Sequence, residues 1–292
     1  QSVSLTVHVV ATPSVLICNN LITVSLPGDC IGEILPDDVL EGTYGCYGDY
    51  LVELDRTLPL GNGPWTPAIL GANDIGHTYQ TRVTHLPSGN TCWGSVKIED
   101  KIPPTLTCEN FTVPCNVPNL TPNYLANTLG IAAANPTVFD CQTYTLTYID
   151  TEVAQNCASG LSKIITRKWT AVDASGNSST CIQTISLILP TLADVVLPPD
   201  YDGFDAPAFL CTDDACGNYP TPEVIECRGL QGFPHVFGFP TGCTINWGYD
   251  DLVIEVCDGT YKIRREWTIL DWCIGDGFTY IQIIKVLDDQ GP

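Results

Sequence analysis

YKIRREWTILDWCIGDGFTYIQIIKVLDDQGP (261–292) decides the fold, because its plan occurs twice more in the chain, in IITRKWTAVDASGNSSTCIQTISLILP (164–190) and TYQTRVTHLPSGNTCWGSVKIEDKIPP (78–104). Each copy has a strand with a basic residue, a polar turn containing glycine, and a final strand that runs into a proline-containing junction. Trp169 in RKWT and Trp267 in REWT hold the same place in two of them. A second shared element precedes them, DCQTYTLTYIDTEVAQNC (140–157) matching GCTINWGYDDLVIEVC (242–257).

Outward from these copies, period-2 alternation dominates and marks half-buried strands. Pro, Gly and Asn clusters such as LPGD, LGNGP and LPSGN punctuate them. PNYLANTLGIAAA (122–134) is the best helical candidate, and a short one. Short strands separated by turns predict an all-β chain of three tandem immunoglobulin-like β-sandwich domains, at 14–102, 103–190 and 191–292. Residues 1–13, QSVSLTVHVVATP, alternate like a last strand without a domain of its own.

EDKIPPTLTC (99–108), RKWTAVDASGNSSTCIQTISL (167–187) and REWTILDWC with QIIKVLDDQGP (265–273, 282–292) resemble hyalin-repeat immunoglobulin-like domains. More narrowly, they are similar to the version found in tandem arrays of large secreted surface proteins of Bacteroidota-type bacteria. The resemblance covers most of 98–292 and, more weakly, 14–102. It implies an extracellular array with a structural or adhesive role and no catalytic residues. The first unit departs from the pattern, with HLPSGN in its turn, no equivalent Trp, and the unusual loop LPLGNGPWTPAILGANDIGH (58–77).

Composition sets the compartment and excludes partners. Fifteen Cys without a CxxC spacing belong to an oxidising environment and a disulfide-rich, extracellular or cell-surface protein. The chain carries 12 Lys+Arg against 33 Asp+Glu, a net charge of −21, which opposes binding to nucleic acid. No apolar run approaches the roughly 20 residues that cross a bilayer, so no membrane insertion is expected. The absence of Met reads as a processed or excised end.

Repeat registration selects among the many pairings that the cysteines admit. It pairs Cys18 with Cys92, Cys108 with Cys181, Cys30 with Cys46, Cys141 with Cys157, Cys243 with Cys257, Cys211 with Cys273 and Cys216 with Cys227. Cys115 is left over, because Ser175 stands where the third unit has Cys273. It is expected as a buried thiol or as a bond to another chain, giving one thiol per chain.

Acidic residues concentrate in the third unit. There Asp200, Asp202, Asp205, Asp213 and Asp214 gather around Gly203 like a calcium loop, without the later bidentate Glu of an EF-hand. Calcium is thus the candidate cofactor, set against a solvated acidic loop. Glu99 with Asp100, and Asp288 with Asp289, fall at domain junctions, where carboxylates can share a cation or protect edge strands. Asn110, Asn119 and Asn177 match the glycosylation acceptor pattern, mostly a chance match in a bacterial protein.

The four histidines lack metal-ligand spacing, and no nucleophile elbow or phosphate loop occurs, so no enzyme is expected. Two readings of residues 1–13 stand. The strand belongs to a preceding unit or packs on its own chain, or Val3, Leu5, Val7 and Val9 enter the sheet edge of a neighbouring molecule. The second predicts a filament, stalk or adhesin subunit assembling head-to-tail with copies of itself. The alternatives are a module binding surface glycans or proteins, using Trp65, Trp93, Trp247 and Trp272, and an accessory region of a secreted hydrolase.

Overall fold

The computed structural model of the chain describes residues 15–212, 216–257 and 259–288. It is an all-β, disulfide-rich, multi-domain fold. Backbone packing divides it into two compact units. One comprises the described residues up to Thr107 with Pro136–Tyr148 and Trp169–Cys181, and the other Cys108–Asn135, Ile149–Lys168 and the described residues from Ile182 onward.

Three main sheets share one plan. The first has the order β1 (Leu21–Ser25), β7 (Thr91–Glu99), β6 (Thr78–His85), β3 (Tyr50–Asp55) and β4 (Trp65–Pro67), with β1 parallel to β7. The second runs β9 (Phe111–Pro114), β13 (Ser178–Ile188), β12 (Leu161–Asp173) and β11 (Tyr144–Ala154), with β9 parallel to β13. The third runs β15 (Phe209–Leu210), β19 (Asp276–Leu287), β18 (Thr260–Asp271) and β17 (Ile245–Cys257), with β15 parallel to β19. In each, the repeated segment is a hairpin of the last two strands, and a short opening strand lies parallel on the final one. The hairpin turn marks the head of each sheet, and the finish of its final strand the tail. Smaller ladders join β2 (Ile31–Glu33) to β5 (Ile69–Gly71), β8 (Thr105–Thr107) to β10 (Thr137–Phe139), and β14 (Val195–Val196) to β16 (His235–Val236).

Alternation is converted into burial on one face of each hairpin, with every second side chain buried along β6 and along parts of β12, β18 and β19. Leu54, Val83, Val96 and Ile98 form the core under the first sheet, and Ile263, Trp267, Ile269 and Ile284 are wholly buried under the third. The arginine of each Arg-x-Trp motif is also buried. Arg167 binds Asp150 through two hydrogen bonds of 2.8 Å and donates to Leu120 O. Arg265 does the same with Asp251, at 2.7 and 2.8 Å, and donates to Pro220 O. Those carbonyls precede two short helices, α2 (Pro122–Asn127) and α3 (Pro222–Cys227), each with Pro at its start, where the missing N–H costs nothing. α1 (Pro36–Val39) begins the same way in the first unit. Thr-Pro-x-x-Leu/Ile at 121–125 and 221–225 is the sequence signal for this helix, and Leu125 and Ile225 are fully buried.

The unusual loop after β3 closes around Asp55. Its carboxylate is buried and accepts hydrogen bonds from the Thr57, Gly61 and Gly63 backbone N–H groups and the Thr57 hydroxyl. Those donors, the Thr57 N–H first, hold its pKa at about 2 against the ordinary 3.8. A depressed folded pKa stabilises the loop fully above the unfolded value and loses that effect as pH falls toward about 2. Hydrogen exchange of the 56–64 peptide should therefore accelerate stepwise below pH about 4. Asp55→Ala should exchange fast at every pH, and a wild-type profile in that variant would refute the assignment.

Twelve cysteines are disulfide-bonded, and Cys46, Cys211 and Cys257 stand outside the disulfides, where repeat registration expects one thiol. Cys18 is bonded to Cys92, and Cys216 to Cys227. Cys108 and Cys181 are both bonded. Four expected pairs are corrected. Cys30 is bonded to Cys141 rather than Cys46, Cys157 to Cys273 rather than Cys141, and Cys243 to Cys115 rather than Cys257. Cys211 is not bonded to Cys273, and Cys115 is not the residue left over.

One physical reason covers all four. Cys141 and Cys157 flank a single strand of 11 residues, and Cys243 precedes and Cys257 ends one of 13, whereas the expected bridges require each run to fold back on itself. At about 3.3 Å per residue each pair is separated by more than about 35 Å, against the 4.4–6.8 Å that a disulfide spans between Cα atoms. Cys211 follows β15 at the tail of the third sheet, while Cys273 lies in the turn at its head. Cys30 and Cys46 are likewise at the tail and head of the first sheet.

Candidate metal centre

Asp100 follows the last residue of β7, Asp140 precedes the cysteine ahead of β11, and Asp173 closes β12. One carboxylate oxygen from each lies within 4.8 Å of the other two. Asp100 and Asp173 are 7% and 6% exposed, and Asp140 is half-buried. Each aspartate is placed by a turn of its own. Asp100 accepts from the Ile102 N–H, Asp140 from the Gln142 N–H, and Asp173 from the Asn177 N–H, a local pattern that short acidic side chains favour. Asn177 Nδ2 donates both to Asp173 Oδ2 and to the Asp100 carbonyl oxygen. The tail of the first sheet is thereby tied to the turn at the head of the second, and the Cys30–Cys141 disulfide joins the same two ends.

The electrostatics call for a cation. No Lys or Arg among the described residues pairs with the three carboxylates. Burial first, and then the Asp100 and Asp173 charges, push the Asp140 carboxyl above the usual range, against the pull of the Gln142 N–H. Asp100 Oδ2 is buried with no hydrogen-bond partner. An orphaned, buried carboxylate oxygen is costly unless something positive reaches it. Three convergent carboxylates fit a hard divalent cation, and calcium, which accepts six to eight oxygens in flexible geometry, suits a set completed by carbonyls and water.

The junction between the second and third sheets is held differently. Asp271, the counterpart of Asp173, is buried and accepts from the Cys273 N–H. Gly242 and Leu189 stand where Asp140 and Asp100 stand at the first junction. Two disulfides, Cys115–Cys243 and Cys157–Cys273, occupy this junction instead. Ser175, in the place of Cys273, leaves the first junction with one bridge and the carboxylate cluster.

The acidic loop is not this site. Asp200 Oδ1 accepts from the Ile283 N–H, and Asp202 Oδ1 accepts from the Phe204 and Asp205 N–H groups. Among the described residues, Asp200, Asp202 and Asp205 do not converge as a metal set. Asp213 and Asp214 lie outside the described residues, as do Val3, Leu5, Val7 and Val9. Glu99 pairs with Lys97 and Lys101 and is not one of the three convergent carboxylates. Trp65 lies under the Arg82 guanidinium and Trp247 packs on the core of the third sheet, whereas Trp93 and Trp272 are exposed. The Asn177 amide belongs to the aspartate cluster.

Of the three aspartates, only Asp100 was marked by sequence, as a junction carboxylate. Asp140 and Asp173 were not marked, and only the pairing of β11 with β12 aligns them.

No family model matches the chain, and no curated protein matches it. Among solved structures it is similar to Drosophila N-cadherin EC1-3, at 11% identity and a TM-score of 0.26, covering 92% of this chain and 98% of that one. It is similar to mouse cadherin-23 EC22-24, at 10% identity and a TM-score of 0.25, covering 93% and 96%. The human desmocollin-1 ectodomain matches at 11% identity and a TM-score of 0.24, covering 95% and 62%. Likeness of this size assigns neither family nor function.

Proposed function

We propose that the chain is a structural subunit of an extracellular surface filament, stalk or adhesin, built from hyalin-repeat-like domains at 14–102, 103–190 and 191–292. Copies assemble head-to-tail, and calcium at Asp100, Asp140 and Asp173 stiffens the first junction. The observation that carries this reading is the set of tail-to-head disulfides, Cys30–Cys141, Cys115–Cys243 and Cys157–Cys273. Bridges of this kind suit a chain that bears load, because tension passes through covalent bonds and each junction loses a hinge. Disulfides in this number also support an oxidising, extracellular compartment.

Strand addition supplies the contact between copies. β17 is the outer strand of the third sheet, and its residues Leu252, Val253, Ile254 and Val256 are exposed. An open apolar edge is a template for another strand. The sequence of residues 1–13, in which Val3, Leu5, Val7 and Val9 fall at every second position, has the alternation such an edge accepts. Negative-stain microscopy of the full chain should show regular fibres, loosened by EDTA and lost when residues 1–13 are deleted. Monodisperse particles in every condition would sink the proposal. Exposed Trp93 and Trp272 favour glycan binding as the second reading, which a glycan array without binders would remove.

A further inference from the structure

The cysteines at the sheet ends obey one rule. The tail cysteine of the first sheet, Cys30, is bonded to the head cysteine of the second, Cys141. The tail cysteine of the second, Cys115, is bonded to the head cysteine of the third, Cys243. Backbone register defines both positions. The Cys115 N–H donates to Ile188 O and the Cys211 N–H to Leu287 O, the last residue of the final strand in each sheet. Cys211 therefore holds in the third sheet the place of Cys115 in the second. In the first sheet Leu26 makes this bond, to Glu99 O, and Cys30 follows four residues later.

At the heads, Cys46, Cys141 and Cys243 stand four, three and two residues before β3, β11 and β17, which flank the hairpin in their respective sheets. Cys46 and Cys243 share left-handed backbone, with φ 56° in each, a conformation uncommon outside glycine. Cys46 is exposed and outside the disulfides. Cys211 is a thiol that donates to Asp288 Oδ1 at 3.5 Å.

We infer that Cys211 of one copy forms a disulfide with Cys46 of the next, so that the tail-to-head rule continues from molecule to molecule. The inference rests on the head-to-tail assembly proposed above and supplies its covalent chemistry. A second copy is the fitting partner because one chain carries both halves of the rule, a head cysteine and a tail thiol in register with bonded pairs. Cys257, the last residue of β17 at the tail of the third sheet, corresponds to Cys157, whose partner Cys273 lies in the head turn of the third sheet. The first sheet has Ser88 in that turn, so Cys257 meets no cysteine there and stays a thiol in the polymer.

Joining the two thiols removes two protons and two electrons. A disulfide oxidant, either a small-molecule disulfide or a dithiol–disulfide carrier protein, takes them. One thiolate displaces half of the oxidant to give a mixed disulfide, the second thiolate displaces the other half, and the oxidant leaves as two thiols.

The test is non-reducing electrophoresis and peptide mapping of the full chain in a glutathione/glutathione-disulfide buffer. The expected result is a ladder at multiples of the chain mass and a cross-linked peptide joining Cys46 to Cys211. Cys46→Ser and Cys211→Ser alone should each remain single chains. Mixed, they should give dimers and nothing longer, since each keeps one half of the bond. Cys257→Ser should keep the ladder. Unpolymerised, denatured wild type should titrate the three thiols Cys46, Cys211 and Cys257, and each variant one fewer, which checks that the other bridges have formed. A Cys46–Cys46 or Cys46–Cys257 bridge, a ladder that survives Cys46→Ser, or native Cys46 joined to a peptide of another sequence would overturn the inference. Fibres without ladder or cross-linked peptide would overturn it while leaving the assembly standing; neither fibres nor ladder would remove both.

Discussion

Asp251→Ala is expected to lower the stability of the unit that holds the third sheet by about 3–5 kcal/mol. Arg265 is 0% exposed and its charge is met by both oxygens of Asp251, at 2.7 and 2.8 Å. What remains after truncation is the Pro220 carbonyl and the rings of Tyr249 and Trp267, 4.5 and 5.8 Å from the guanidinium. Neither compensates a full buried charge. The Tyr219 hydroxyl, which donates to Asp251 Oδ2 at 2.9 Å, loses its acceptor as well. For a unit of this size the melting temperature should fall by on the order of 10 °C. Replacing both partners with apolar residues of similar volume, Arg265→Met with Asp251→Leu, should recover most of the loss, because the cost lies in the unpaired charge rather than in the missing bond. Disulfide-intact denaturant unfolding reads both variants. A single variant within about 1 kcal/mol of wild type would show that water reaches Arg265 and that the buried pair is not what holds β17 to β18.

Calcium should raise the stability of the unit containing Asp100, Asp140 and Asp173, and Asn substitution of any of the three should abolish the rise. At affinities of about 10⁻⁴–10⁻³ M, common for extracellular calcium modules, 10 mM calcium stabilises by about 1.4–2.7 kcal/mol through mass action. The sign without calcium is distinctive. Asp140 is held above the ordinary carboxyl range by burial and by its two neighbours, so its charge opposes folding at neutral pH when no cation is bound. Asp140→Asn should therefore equal or exceed wild type in EDTA and fall behind it in calcium. Calorimetric titration gives the second readout, with heat of binding in wild type and none in the variant. Calcium-independent melting of wild type would return the cluster to a set of capped turns.

Much of the fold was legible because it repeats locally. Hairpins, the equivalence of Trp169 and Trp267, and the all-β class follow from alternation and from three overlaid segments, each a property of neighbours in sequence. The helix at 122–127 falls within the expected 122–134 and the one at 222–227 was not marked, although both share the local Thr-Pro start; the docking of Arg167 and Arg265 on the preceding carbonyls is not local. Two of the four corrected cysteine pairs, Cys141–Cys157 and Cys243–Cys257, failed on one ambiguity. A run of 11 to 13 alternating residues reads equally well as one long strand or as two short ones folded back, and the choice moves the flanking cysteines from adjacent to far apart.

By itself the sequence determined the secondary structure class and the repeated hairpin, because side-chain alternation and turn chemistry act over a few residues. Only the tertiary structure decided which cysteine meets which and where a cation can sit. Those outcomes depend on strand direction, on whether a residue lies at the head or the tail of its sheet, and on which sheet ends are joined. Asp100, Asp140 and Asp173 are 40 and 33 residues apart along the chain, and one hairpin and one disulfide bring their carboxylates within 4.8 Å.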